Sequence, residues 1–380
     1  MAEKKVIGIG IIGFGNMGMA HAYSIENLKF FGGDLPFVPK IIGVCTRSID
    51  KSRSICERYG FECAYASEDE LIADERVDVV DVCTPNHMHL DTIKKARAAG
   101  KTVLCEKPLC PTYAEAREAA TDSLGCGIVF NNRHLSPIRR AKELIDEGRL
   151  GRILSFEAAY LHNSCLDLQK DAGWKQSGEY GAGVLRDLGS HIIDLIYYLC
   201  GNFDSVYARK QIAFPTRKGV DGKEWETDAD EAVYITARLE CGAVGTLHAS
   251  KLICGANDDL SVSVYGERGS VRFSLNDIDH LYFYDGTAED GSYGGCRGFT
   301  AIECNGRYPS PFGKFPSPKA TQGWLRGHVM SMYNFLSAVN NGEQLRPSFD
   351  DGAYVAKICE CCDISDREGR TVLLSEVDDG

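Results

Sequence analysis

Three short patterns in this chain bring together residue types that do chemistry. The first is Gly13-Phe14-Gly15-Asn16-Met17-Gly18, which follows the apolar run Val6–Ile12 and opens an amphipathic stretch. A lone G-x-G-x-x-G is a weak signal, but between a strand and a helix it is the arrangement that holds a dinucleotide. Gly13 then allows the tight turn, Gly15 lets backbone approach a pyrophosphate, and Gly18 lets the helix pack on the strand. The helix N-terminus supplies free N–H groups and a partial positive charge. The second pattern is Glu106-Lys107-Pro108, immediately after the strand-like Thr102–Cys105. Ligands of a doubly wound sheet bind outside the carboxyl ends of its strands, so Lys107 projects towards the nicotinamide end of such a ligand. The third is Asp187-Leu188-Gly189-Ser190-His191, continuing to Asp194. On a helix these three polar residues fall at i, i+4 and i+7 and share one face.

These side chains suit hydride transfer to or from a secondary alcohol. A histidine with an ordinary pKa near ~6.5 is a good base for the hydroxyl proton. A lysine stabilises the developing alkoxide. Asp187 would orient His191 or a neighbouring substrate hydroxyl. Taken singly, Asp187 reads as a helix cap, His191 as a core histidine and Lys107 as a surface lysine. Together with the glycine fingerprint they read as a catalytic set.

The second strand, Lys40–Cys45, runs into Thr46-Arg47-Ser48 with no carboxylate before Asp50. An acid there would bind the adenosine ribose; its absence beside Arg47 and Ser48 leans towards tolerance of a 2′-phosphate. The cofactor expected is therefore NAD(H) or NADP(H). Candidates for a sugar ring are Asn132 and Arg133, after the strand-like Gly127–Phe130, and Tyr160, His162, Asn163 and Trp174 before the third pattern. An aromatic face for C–H groups and amide or imidazole donors for hydroxyls would serve such a ligand. Surface packing is the ordinary alternative for each, and an acid is the ordinary partner for Arg133. No metal is expected. The Cys359-Glu360-Cys361-Cys362 cluster contains one CxxC spacing, but it lies in a helical pattern with no second CxxC.

These residues need a scaffold. Short apolar runs alternate with amphipathic stretches as far as Cys126: strands at Val6–Ile12, Lys40–Cys45, Val77–Cys83 and Thr102–Cys105, and helices near Gly18–Lys29, Asp50–Tyr59, Leu90–Ala99 and Tyr113–Ser123. That alternation implies an α/β, doubly wound parallel sheet over 1–126. Beyond it, helices are expected near Ile138–Glu147 and Leu188–Cys200. Strand-like runs then follow at Ile153–Leu161, Ser205–Ala213, Ala232–Leu239, Ala243–Ser250, Leu260–Tyr265, Ser270–Ser274 and His280–Tyr284. Short glycine turns join several of them, so 127–380 should be an α+β domain with a large open, mostly antiparallel sheet. The Gly- and Pro-rich stretch Asp285–Gly323 reads as a long loop, and helices near Gly327–Asn340 and Asp350–Asp366 close the chain.

Composition excludes other classes. Forty-two basic against 54 acidic residues give a net charge of −12 in 380 residues, a poor balance for nucleic acid or an anionic membrane surface. No apolar stretch is long enough to span a bilayer. Sixteen cysteines, several inside apolar runs, suit buried thiols in a reducing compartment better than a disulfide framework. Lys4-Lys5, Val6–Ile12 and Ala20-His21-Ala22 imitate a signal peptide, but the glycine motif accounts for the same residues, so a cytoplasmic location is expected.

With GFGNMG at Gly13–Gly18, TPNHMH at Thr84–His89, EKP at Glu106–Pro108 and DLGSH at Asp187–His191, the chain resembles the glucose–fructose oxidoreductase / inositol dehydrogenase (Gfo/Idh/MocA) family. The resemblance covers nearly the whole length and includes the domain order. It implies that Lys107 is catalytic and that Asp187 and His191 complete the site. It also implies that Thr84, Pro85, Asn86 and His89 lie along the cofactor, and that Glu106 and Pro108 set the nicotinamide position. Thr46 departs from the acid that many NAD-using members carry. The extended first crossover, Phe30–Pro39, is similar to that of members oxidising anhydrosugars or the 3-position of glucosides. The family further implies a homo-oligomer, dimer or tetramer, through the open sheet. Two other activities fit the motifs: redox-neutral cleavage of a glycoside with retained NAD, and nucleotide sensing without catalysis. Retention of Lys107 and His191 argues against the second.

Overall fold

The computed structural model describes residues 4–219, 222–321 and 323–377. Its strands are β1 (Lys5–Ile12), β2 (Phe37–Cys45), β3 (Cys63–Tyr65), β4 (Val79–Val82), β5 (Thr102–Glu106), β6 (Gly127–Val129), β7 (Ile153–Leu161), β8 (Phe203–Gln211), β9 (Thr216–Lys218), β10 (Glu224–Glu226), β11 (Ala232–Leu239), β12 (Val244–Ser250), β13 (Asp259–Gly266), β14 (Gly269–Ser274), β15 (His280–Asp285), β16 (Phe299–Glu303) and β17 (Val372–Leu373). Its α-helices are α1 (Asn16–Phe31), α2 (Ile49–Tyr59), α3 (Glu68–Ala73), α4 (His89–Ala98), α5 (Tyr113–Ala120), α6 (Ser136–Asp146), α7 (Ser190–Cys200), α8 (Leu325–Asn341) and α9 (Phe349–Glu368).

The chain forms two compact units. One comprises 1–134 and 306–353, the other 135–305 and 354–380. The sequence reading divides the chain once, after 126; the structure gives the first unit a second, later segment.

In the first unit six parallel strands lie in the order β3-β2-β1-β4-β5-β6, the doubly wound arrangement. Its central strands are apolar on both faces, with Ile7, Ile9, Ile11, Val79, Val80 and Val82 buried, because helices cover both sides. Helix starts follow local chemistry. Ser48 caps α2, Ser67 caps α3, and Thr112 with Glu115 forms a reciprocal capping box on α5. From the later segment, α8 packs against α1, and Phe312, Met332, Phe335 and Leu336 join the same apolar core as Ile25 and Leu28.

β2 begins at Phe37 rather than Lys40, so only Gly32–Pro36 separates it from α1. Pro39 is tolerated inside it because β3 pairs only with Gly43–Cys45; at Pro39, β1 is the sole neighbour.

In the second unit nine strands lie in the order β16-β15-β14-β13-β7-β12-β11-β8-β17. All neighbours are antiparallel except β12 and β7. Helix α6 packs on β14 and β15, and α7 on β7, β12 and β13. β11 alternates buried Val233, Ile235 and Ala237 with exposed Tyr234, Thr236 and Arg238, the period-two pattern of a sheet covered on one side. Two expectations are corrected here. The stretch Asp285–Gly323 is not a continuous loop: Phe299–Glu303 forms β16 and pairs with β15. It is an edge strand exposed over most of its length, so no apolar alternation marks it. Helix α7 starts at Ser190, and Leu185–Gly189 before it is a wider π-helical turn.

Candidate active site

The first unit carries the phosphate loop. Gly13 has φ +90°, and a Cβ on it would lie 2.6 Å from the Cys83 carbonyl oxygen, so only glycine makes this turn. A Cβ on Gly18 would lie 2.4 Å from the Gly13 carbonyl oxygen, which is the close helix-to-turn approach expected of the third glycine. A Cβ on Gly15 would meet nothing within 4 Å. The backbone there borders open space, where a pyrophosphate can approach. No side chain caps the start of α1 and no acid stands in its first turn, leaving its N–H groups and positive end available to an anion. These features fit a dinucleotide. Phe14 is buried against Tyr59 and Phe61, at ring distances of 5.5 and 6.0 Å, so its side chain serves the core. Asn16 is exposed and Met17 half-buried at the mouth of the loop.

At the end of β2 the Thr46 hydroxyl donates to the Ser48 carbonyl at 3.0 Å and lies 3.1 Å from the Ser52 hydroxyl. Ser48 is spent on capping α2. Arg47 is exposed and presents the available cation of this turn. After β4, the buried Thr84 hydroxyl oxygen has no hydrogen-bond partner among the described residues. Pro85 precedes a single 3-10 turn, Asn86–Met88. His89 turns inward: Nδ1 lies 3.0 Å from the Leu109 carbonyl and Nε2 lies 2.9 Å from that of Thr84. It ties the Thr84 turn to the segment after Lys107 rather than presenting its ring to a ligand. Burial holds its pKa below the ordinary histidine value, although the facing carbonyls work the other way.

Glu106 ends β5, and its carboxylate is fully engaged. Oε1 lies 3.0 Å from His21 Nε2, and Oε2 accepts the Lys107 N–H at 3.0 Å. Burial pushes its pKa up, but His21 and then Lys107 overcome that and hold it down at about 2. Lys107 is half-buried and joined to Pro108 by a cis peptide bond. Two of the proposed sugar contacts belong to this unit and are buried: Asn132 accepts from the Asn131 side chain, and Arg133 pairs with Asp351 at 3.2 Å. The acid partner that sequence reading allowed for Arg133 is therefore present.

The second unit carries the acid–base candidates. Gly183, at φ +108°, passes so close to Asp230 that a Cβ would lie 2.2 Å from Oδ1. Asp230 also accepts the Leu185 N–H at 2.8 Å through its side chain and the Val184 N–H at 2.9 Å through its carbonyl. This buried acid, whose pKa burial raises, pins the start of the π-helical turn that presents Asp187. Asp187 Oδ2 lies 2.6 Å from Lys251 Nζ and 3.6 Å from Lys175 Nζ. Burial opposes the Lys251 charge, but Asp187 outweighs it and raises the lysine above its ordinary value. His191, in the first turn of α7, packs edge-on against Tyr160 at 5.7 Å. The Tyr160 hydroxyl donates to Asp258 Oδ1 at 2.7 Å, and His162 Nε2 lies 3.0 Å from the same oxygen. Burial, then Asp258, pushes the Tyr160 phenol up, out of its ordinary range. Asn163 is half-buried in the following turn, and Trp174 is exposed with Lys175 Nζ 5.7 Å from its ring.

The structure thus groups Tyr160, His162 and His191, and adds two residues that sequence reasoning missed, Lys251 and Asp258. Lys251 does carry a sequence signal: it directly follows β12, as Lys107 directly follows β5. Asp258 stands in an irregular segment and carries none.

Residues 7–122 match the family model described as oxidoreductase family, NAD-binding Rossmann fold, and residues 138–272 match the GFO/IDH/MocA C-terminal domain. The chain is 30% identical over 370 residues to levoglucosan dehydrogenase of Pseudarthrobacter phenanthrenivorans, covering 93% of this chain and 94% of that one. It is 26% identical over 380 residues to glucose-6-phosphate 3-dehydrogenase of Bacillus subtilis, covering 97% and 99%. Among solved structures, a levoglucosan dehydrogenase complex with NADH and levoglucosan superposes with a TM-score of 0.91 at 28% identity, over 97% of this chain and all of that one.

Proposed function

Because the chain belongs to the GFO/IDH/MocA oxidoreductase family, we propose that it transfers hydride between a secondary hydroxyl of a sugar, glycoside or cyclitol and nicotinamide. The observation that carries this reading is the phosphate loop. Gly13 and Gly18 are sterically obligatory, and Gly15 faces open space beneath an uncapped helix start. An anhydrosugar or the 3-position of a glucoside is the substrate class we favour, by analogy with relatives named for levoglucosan and for the 3-position of glucose 6-phosphate.

Gly13, Gly15 and Gly18 would hold the pyrophosphate of the cofactor and the Thr84 turn would lie along it, and its nicotinamide would supply the hydride acceptor or donor. The remaining tasks fall to the chain. His191 takes the hydroxyl proton, and the Lys107 ammonium donates a hydrogen bond to the same oxygen as alkoxide charge grows. Asp187, paired with Lys251, orients the base or an adjacent hydroxyl. Tyr160, His162, Asn163 and Trp174 are the proposed ring contacts, with Asp258 fixing Tyr160 and His162. Asn132 and Arg133 fit better as braces of the first unit. A cytoplasmic homo-oligomer formed through the open sheet completes the proposal; among the described residues no helix is long and apolar enough to cross a membrane.

The test is the near-ultraviolet absorbance of reduced nicotinamide. NAD or NADP is mixed with inositols, hexoses, levoglucosan and aryl glucosides. A rise with one substrate is expected, and Lys107→Ala should cut it about 100–1,000-fold while NADH binding stays within about threefold. Glucoside cleavage without reduced nicotinamide would replace this reading with a redox-neutral one.

A further inference from the structure

His21 lies on α1, in no motif that was given a role above, yet it is wholly buried beside Glu106. Its Nδ1 is 3.0 Å from both oxygens of Asp81 on β4, and its Nε2 is 3.0 Å from Glu106 Oε1 at the end of β5. His21 and Asp81 are wholly buried and Glu106 nearly so. Two carboxylates in such an interior need a cation between them. The imidazole is placed to be that cation, with one N–H for each acid.

The other neighbours agree with a proton-filled cluster. Cys83 Sγ lies 3.2 Å from Nδ1 and 3.6 Å from Asp81 Oδ1, and burial pushes its thiol up to about 12, so it stays neutral and donates to Asp81. From α8, His328 comes within 6.0 Å ring to ring, and neither of its nitrogens has a hydrogen-bond partner among the described residues. Burial and then the His21 charge push His328 down to about 3, so it forms a neutral wall. Burial works against the His21 charge too, but Asp81 overcomes it and raises its pKa well above the ordinary value. The titratable groups facing His21 are thus Asp81 and Cys83 from β4, Glu106 from β5 and His328 from α8, with Lys107 adjoining Glu106.

We propose that His21 is a positioning residue: clamped between Asp81 and Glu106, it fixes the Glu106 carboxylate and, through the Lys107 N–H held by that carboxylate, the placement of Lys107. The chain of contacts runs Asp81, His21, Glu106, Lys107 backbone, with no gap above 3.0 Å. It crosses from a helix to the sheet and ends at the lysine proposed for turnover, on whose role in that reading the inference rests.

The test uses the full chain and has two independent readouts. Histidine side-chain nitrogen shifts in the intact protein report the protonation of His21 without any substrate; an imidazolium persisting well above the ordinary histidine range is expected. In kinetics, His21→Gln should lower kcat about 10–100-fold and reshape its pH profile, with the NADH Kd and sugar KM within about threefold. Adding Glu106→Gln, which removes the stranded charge and keeps a hydrogen-bonding pair, should recover about tenfold of that kcat. A neutral His21 at pH 7, stoichiometric zinc bound at His21, Asp81 and Cys83, or a His21→Gln enzyme with wild-type kcat and pH profile would overturn the inference. If His21→Gln does not fold, the nitrogen shifts and Glu106→Gln alone still decide it: an unmoved His21 signal in Glu106→Gln refutes the clamp. A wild-type enzyme that reduces no cofactor would instead refute the proposed function and leave the shift measurement standing.

Discussion

Replacing Lys251 with methionine tests the electrostatics of the proposed base assembly. The Lys251 ammonium, 13% exposed, sits 2.6 Å from Asp187, whose side chain is 28% exposed. Removing one partner of a buried pair typically costs about 3–5 kcal/mol, because the other charge is stranded. Asp187 retains some solvent and a second cation, Lys175, at 3.6 Å, which brings the expected cost to about 2–3 kcal/mol. That energy disfavours the ionised form of Asp187. The acid limb of kcat/KM should move to higher pH if Asp187 works as a carboxylate. In a unit of this size the melting temperature should fall by roughly 5–10 °C. The double variant Lys251→Met/Asp187→Asn carries no stranded charge, so it should melt higher than Lys251→Met. Its catalytic loss should be no greater than that of Asp187→Asn alone. Thermal melts and pH-rate profiles of the four proteins complete the cycle. Melting losses that simply add, or an acid limb that stays in place, would refute the account.

Two further outcomes follow from the first unit. His328 is held at about 3 against 6.5 in the unfolded chain, so its contribution to stability is present above pH ~6.5 and is lost as pH falls towards ~3. Between about pH 6.5 and 4.5 that slope amounts to roughly 2–3 kcal/mol, and His328→Phe should flatten it in melts across this range; an unchanged slope would show that His328 is not the titrating group. Gly13→Ala forces a side chain into φ +90° and against the Cys83 carbonyl, at a cost of about 1–3 kcal/mol or more. NADH affinity, measured by fluorescence titration, should drop at least about tenfold; unaltered binding would remove the phosphate loop from the argument.

Much of this protein is written locally. Most strands and helices through Ala120 are legible because apolar periodicity is a property of neighbouring residues; β3 and α3, three and six residues long, are too short to show a period. Gly13, Gly15 and Gly18 announce their roles because each is a backbone requirement. The Glu106-Lys107-Pro108 turn and the Asp187–His191 stretch are legible for the same reason: residue type plus position on an element. What the sequence leaves open is which distant groups meet. Asp81 reads as one polar residue in an apolar strand, and His21 as one more helix residue; only the stacking of α1 on the sheet, sixty positions apart in sequence, makes them a pair and adds Glu106. Lys251 and Asp187 meet because β12 lies under the π-helical turn, and Arg133 finds Asp351 because 306–353 returns to the first unit. β16 escapes notice because an exposed edge strand needs no apolar face. Periodicity and turn chemistry are settled within a few residues. The partner of a buried charge is settled by long-range packing, since any ionised group taken from water must find its counter-charge wherever the fold places one.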